Sequence, residues 1–191
     1  MRIVRLNEET RKNLLADLLK RDPNNYTAYE STVQEIVEDV RKNRDQALFA
    51  YTKEFDGADL NSSNIRVTDM EIQEAMAQVE PGLLTVMKRA MKNIREYHEK
   101  QKQYSWFDSR PNGTLLGQKV TPLSSVGVYV PGGKAAYPSS GFMNIIPAEV
   151  AGVPRIVMVT PPDKNGKVNP VTLIAAHLAG ATEVYKAGGA Q

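Results

Sequence analysis

The residues best placed to do chemistry lie in one glycine turn, Pro131-Gly132-Gly133, which follows a β-branched run and precedes Lys134. A turn of that composition ends a strand, and a backbone without Cβ atoms can approach a ligand closely. In open parallel sheets such ligands lie at the carboxyl ends of strands. A turn with a structural role alone is the competing reading. The dinucleotide fingerprint G-x-G-x-x-G is absent, and Lys134 is not followed by Ser or Thr at the P-loop spacing, so neither phosphate motif is claimed. The two histidines, His98 and His177, lack an H-E-x-x-H spacing and read as packing or surface residues on separate helices. Glu8-Glu9 falls at a helix start, where acidic side chains complement the helix dipole. With no cysteine there is no disulfide framework, thiolate zinc site or cysteine nucleophile. These residues therefore leave a ligand loop and a structural turn as equal alternatives, and they predict no catalytic residue and no metal ligand.

The elements that must hold this turn follow from periodicity. Val126, Val128 and Val130 alternate with Gly127 and Tyr129, which predicts a strand; taken alone, Tyr129 reads as a packing aromatic. Met143, Ile145, Ile146 and Val150 return at near-helical spacing, in a helix that Pro147 shortens or kinks. A second strand spans residues 155–160 and stops at Pro161-Pro162. A polar loop at 164–167 leads to a helix over 171–178 with Gly180 as terminator, and a third strand over 183–186 ends at Gly188-Gly189. Strands alternating with helices predict a parallel α/β sheet.

Upstream the chain reads as helical. Ile3, Val4 and Leu6 form an extended arm, and Asn7 caps a helix with a stripe of Leu14, Leu15, Leu18 and Leu19, broken at Asp22-Pro23-Asn24-Asn25. Ser31 with Gln34 spells a capping box for a helix ending near Asn43, its apolar face Val33, Ile36, Val37 and Val40. Asp45 caps the next, with Leu48, Phe49, Tyr51 and Phe55, closed by Asp56-Gly57. Ile65-Arg66-Val67 makes a brief strand, Thr68 with Glu71 a second capping box for a helix over 69–79, and Pro81 opens the longest helix, reaching about Gln103. Asn112-Gly113 marks a hairpin, with Pro111 placing its first arm at a sheet edge. The change of character near residues 104–111 divides a mainly helical region, 1–104, from a hairpin and α/β region, 105–191.

Residues 129–144 also carry a resemblance. The run Tyr129-Val130-Pro131-Gly132-Gly133, then Ala135-Ala136-Tyr137-Pro138-Ser139-Ser140 and Met143-Asn144, resembles without a gap the signature of the histidinol dehydrogenases. The fold this implies is α/β, with a helical N-terminal region, a hairpin and a partial Rossmann-like parallel sheet. The function it implies is the last step of histidine biosynthesis: a cytoplasmic, homodimeric zinc enzyme that oxidises L-histidinol to L-histidine in two NAD-dependent steps through an aldehyde. By the same resemblance Tyr129 and Gln191 contact NAD. The family's Glu-His acid and base pair, and the glutamine, histidine, aspartate and histidine that hold its zinc, have no counterpart in these residues. The chain is thus expected to be the truncated N-terminal part of such an enzyme, without a competent active centre. The alternative is a non-catalytic α/β module that self-associates through apolar surface.

Composition sets outer bounds. A domain of this length buries about 70% of its unfolded surface. The 24 Lys and Arg offset 22 Asp and Glu to a formal charge of +2, too little field to attract nucleic acid or an anionic membrane. No run approaches the roughly 20 apolar residues of a membrane-spanning helix, and the N-terminal run is too short for a signal peptide.

Overall fold

The computed structural model describes residues 7–8, 10–12, 26–132 and 136–191. Asn7 acts as the expected cap: its Oδ1 accepts the Thr10 N–H at 2.7 Å, and its own N–H donates to Thr10 Oγ1 at 2.8 Å. The N-terminal arm, the leucine stripe and the break at residues 22–25 lie outside the described residues.

Helices α1 (Thr27–Asn43) and α2 (Asp45–Asp56) pack on one another. Helix α1 starts at Thr27, so Ser31 and Gln34 lie inside it and make no capping box. The amides they were expected to satisfy already have carbonyl partners one turn back, and Gln34 instead donates to Glu38 at 3.0 Å. Of the expected apolar face only Ile36 is buried, while Val33 and Val37 stay exposed. Asp45 is the first helical residue of α2 rather than its cap; Arg44, at φ 54°, makes the sharp link. Gly57 ends α2 in the left-handed region, as Asp56-Gly57 predicts.

Helix α3 (Asp69–Gln78) begins with the predicted capping box in full. Thr68 Oγ1 accepts the Glu71 N–H at 3.3 Å, and Glu71 Oε2 accepts the Thr68 N–H at 2.9 Å. Pro81 is the first residue of α4 (Pro81–Glu99), which ends four residues short of Gln103. The chain tightens there: Gln101 and Lys102 donate to the carbonyls of His98 and Glu99, three residues back, and close the last turn.

Strands β1 (Trp106–Ser109) and β2 (Leu115–Gln118) form a separate antiparallel hairpin. Its turn differs from the two-residue Asn-Gly form. Arg110 pairs with Thr114, Pro111 and Asn112 occupy the bend, and Gly113 follows at φ 82°. Proline's fixed φ suits the first corner of a type I turn, and the third loop residue must then be left-handed, which glycine allows. Pro111 therefore belongs to the turn and not to a sheet edge.

The main sheet is parallel, in the order β3 (Val126–Tyr129), β4 (Ile156–Thr160), β5 (Glu183–Lys186). Helix α5 (Pro138–Val150), with Pro147 inside it, links the first two strands, and α6 (Pro170–Ala179) the last two. The register sets Val128, Met158 and Val184 in one row and Tyr129, Val159 and Tyr185 in the next, on the opposite face. The first row faces the core, where Val130, Ile145, Ile146, Ile156, Met158 and Ile174 are all but fully buried. Helix α4 packs on α5 and α3 on α6. One core therefore runs from Val67, Ala75, Val79 and Met87 through to Val184, across the change of sequence character near residue 104. The Ile65-Arg66-Val67 strand survives as a single antiparallel bridge from Arg66 to Tyr185, flanked by hydrogen bonds from Val67 to Val184 and from Lys186 to Ile65, each 2.9 Å.

Candidate functional site

The carboxyl ends of the three strands converge on Pro161. A Cβ on Gly132 would come within 2.5 Å of its ring, and one on Gly188 within 2.6 Å, both far inside contact distance. The two outer strands can close over the end of the middle one only because both residues are glycine. Tyr129, the last residue of β3, is half exposed, and its hydroxyl accepts from the Gly189 N–H at 3.5 Å. The resemblance points to Tyr129 and Gln191 as NAD contacts, and the fold brings both to this end of the sheet. Gln191 follows Gly189 by two residues, and its Oε1 is buried with no hydrogen-bond partner among the described residues. A buried acceptor without a donor is costly, so Oε1 suits a ligand donor such as a carboxamide N–H. In that respect the donor and acceptor set fits a dinucleotide. Gly133 and Lys134, the rest of the predicted turn, lie outside the described residues.

Beside this point a cleft of about 400 Å³ is bounded by Gly132, Thr160 and Pro161 on one side and by Glu71, Glu74 and Gln78 of α3 on the other; Tyr129 and Gln191 do not line it. Lys167 and Asn169 stand at its rim, the latter capping α6 by accepting from Val171 and Thr172. The wall is ionic. Lys186, 3% exposed, donates to Glu71 Oε1 at 2.6 Å, and Lys167 lies 3.1 Å from Glu74 and 3.7 Å from Glu71. Burial alone would push the Glu71 carboxyl up, yet the bonds from Lys186 and Thr68 outweigh it and hold the group below the usual carboxylate range. The Lys167 ammonium is raised, chiefly by its bond to Glu74.

At the other end of the sheet Arg155 grips Glu183 with two bonds, of 2.7 and 3.3 Å, and the Tyr185 hydroxyl adds a third at 2.8 Å. His177 is exposed on α6. His98 lines a second cleft beside Tyr104, Pro122 and Pro147, with Nδ1 2.7 Å from Gln101 Oε1 and Nε2 buried without a partner among the described residues. No three His, Asp or Glu side chains among the described residues converge to hold a metal ion, so these donors do not fit zinc.

Three residues are read in the sequence only for their local structure and not as parts of the site: Pro161 as a strand end, Lys186 as a strand residue and Glu71 as a cap. For Lys186 a signal existed. Alternation in Glu183-Val184-Tyr185-Lys186 puts the lysine on the same face as buried Val184, and a lysine on a core face needs a partner.

A family profile described as histidinol dehydrogenase matches residues 19–191. The histidinol dehydrogenase of Bacillus subtilis strain 168 is 56% identical over 160 residues, covering 84% of this chain and 37% of the relative. That of Heliobacterium mobile is 53% identical over 159 residues, 83% of this chain and 37% of the relative. The Halalkalibacterium halodurans protein is 47% identical over 192 residues, 100% of this chain and 43% of the relative. In structure the chain is similar to the crystal structure of histidinol dehydrogenase from Elizabethkingia anophelis, with a TM-score of 0.79 and 37% identity over 85% of this chain and 37% of that one. The chain thus spans about two fifths of the length of the curated relatives it matches.

Proposed function

The chain belongs to the histidinol dehydrogenase family, and from that membership we propose that it serves the NAD-dependent oxidation of L-histidinol to L-histidine through the aldehyde, contributing the dinucleotide side of the site. NAD, when bound, accepts a hydride in each of the two oxidations. The chain's own part is to bind and orient. Tyr129 offers a half-exposed ring and a hydroxyl, Gln191 an unpartnered amide oxygen, and the glycines at 132 and 188 a closely packed backbone rim. The observation that carries this reading is the meeting of Tyr129 with the Gly188-Gly189 turn, two residues before Gln191. Similarity to named histidinol dehydrogenases favours the enzyme over a self-associating module.

The groups that the family resemblance implies for proton transfer and zinc have no counterpart among these residues. We therefore assign NAD contact to the 191 residues, and turnover, zinc, the homodimer and a cytoplasmic setting to the enzyme that such residues help to build. The 191-residue chain alone should form no NADH from histidinol, even with zinc supplied. Calorimetric titration of NAD into the chain and into Tyr129→Ala and Gln191→Ala tests the assignment. A tenfold weakening in each is expected, about 1.4 kcal/mol. Equal affinity in all three would move the cofactor elsewhere.

A further inference from the structure

Lys186 and Glu71 are separated by 115 positions and meet at 2.6 Å. Lys186 ends β5, and the next three residues are the ones that shape the candidate site: Ala187 donates to Thr160, Gly188 packs on Pro161, and Gly189 donates to Tyr129. Glu71 is itself tied at its other oxygen, which accepts from the Thr68 N–H and hydroxyl in the capping box. The ammonium is thus anchored to a helix start, and the strand exit is anchored with it. The Lys186 amide adds a second tie, to the carbonyl of Ile65.

We propose that Lys186, held by Glu71, is a positioning residue for the cofactor turn, setting where Gly188-Gly189 meets Tyr129. The proposal rests on the NAD reading for its functional consequence, but its geometric core does not. A purely structural ion pair would loosen everything around it when broken. A positioning pair loosens the turn selectively, because α6 and the β3–β4 ladder carry buried apolar residues of their own, among them Val130, Ile156, Met158, Leu173 and Ile174.

The test is amide hydrogen exchange by NMR on the chain and on Lys186→Met, with Lys167→Gln as a control on the exposed arm of the same ionic cluster. In Lys186→Met, exchange at Ala187 and Gly189 should rise at least about tenfold more than at Val130, whose N–H donates to Val159 across β3 and β4 and follows only the global stability. Lys167→Gln should leave all three as they were. In parallel, Lys186→Met should weaken NAD about tenfold with no loss of cooperative urea unfolding. Unchanged exchange at Gly189, or an equal rise at Val130, would overturn the proposal. If Lys186→Met does not fold, the double variant Lys186→Met with Glu71→Gln, which strands no charge and keeps the capping box, takes its place in the same measurement. Should the unaltered chain bind no NAD, the cofactor reading fails, and the exchange pattern alone still decides whether Lys186 positions the turn.

Discussion

The hydroxyl of Tyr129 lies 3.5 Å from the backbone nitrogen of Gly189, so the two outer strands of the sheet touch at their ends although neither is the other's neighbour. That contact exists because Pro161, at the end of the middle strand, leaves room for nothing larger than glycine on either side.

Gly132→Ala and Gly188→Ala should each destabilise the chain by about 1–3 kcal/mol, since the new methyl meets a proline ring that is fixed to its own backbone. Gly127→Ala, where an added Cβ meets nothing within 4 Å, should stay within about 0.5 kcal/mol. Urea midpoints of the three variants decide it, and equal losses at all three positions would contradict the packing argument.

The Lys186–Glu71 pair should respond asymmetrically. Glu71→Gln leaves a buried ammonium without its counter-charge, at a cost of about 3 kcal/mol. Lys186→Met leaves Glu71 with its Thr68 bond and with Lys167 at 3.7 Å, and should cost about 1 kcal/mol. A double-mutant cycle measures the coupling; a Lys186→Met loss larger than that of Glu71→Gln would reverse the assignment of which charge is stranded.

Acid stability should carry the mark of Glu183. Its carboxyl is pulled to about 2, first by the bond from Arg155 and then by that from Tyr185. The folded chain therefore gives up this proton more readily than the unfolded one. The resulting stability is complete above about pH 4.5, the ordinary carboxyl value, and is lost as pH falls toward 2. Glu71 acts in the same direction. Arg155→Gln should flatten the fall in urea midpoint across that window, and a slope equal to that of the unaltered chain would remove Glu183 from the account.

Asp56 should show the opposite sign. It is the last residue of α2, at the negative end of the helix dipole, with a buried Oδ2 that has no partner among the described residues, and burial raises its carboxyl. A raised folded value means that stability is lost as pH rises through it. Asp56→Asn should thus stabilise at pH 7 by about 0.5–1 kcal/mol, an advantage that vanishes below the ordinary aspartate value near 3.8. A destabilised Asn variant at pH 7 would mean that the carboxylate has a favourable partner.

What could be read from the sequence was what is local. The Thr68–Glu71 box, Gly57 and Pro81 rest on neighbours within a few residues, and the three parallel strands are marked by runs of a few residues each, although their pairing is not local. Ser31 and Gln34 spell the same box and do not form one, because the decision to start α1 was made upstream, at Thr27. Tyr129 and Gln191 were reached through resemblance; neither side chain carries a local signal of its own. Nothing near Lys186 in sequence announces Glu71, since the pairing depends on how α3 docks against β5.

In the parallel sheet β3 pairs with β4 and β4 with β5, successive strands in the chain, so during synthesis none of the three waits for a distant partner. Residues 65–71 are the exception. Ile65, Val67 and Glu71 are made early, and the groups they bond, in Val184 and Lys186, come more than a hundred residues later. The cap that starts α3 can form at once, but one oxygen of its glutamate has no lysine to meet until β5 has been made, so the ion pair that ties α3 to β5 waits for more than a hundred residues of synthesis.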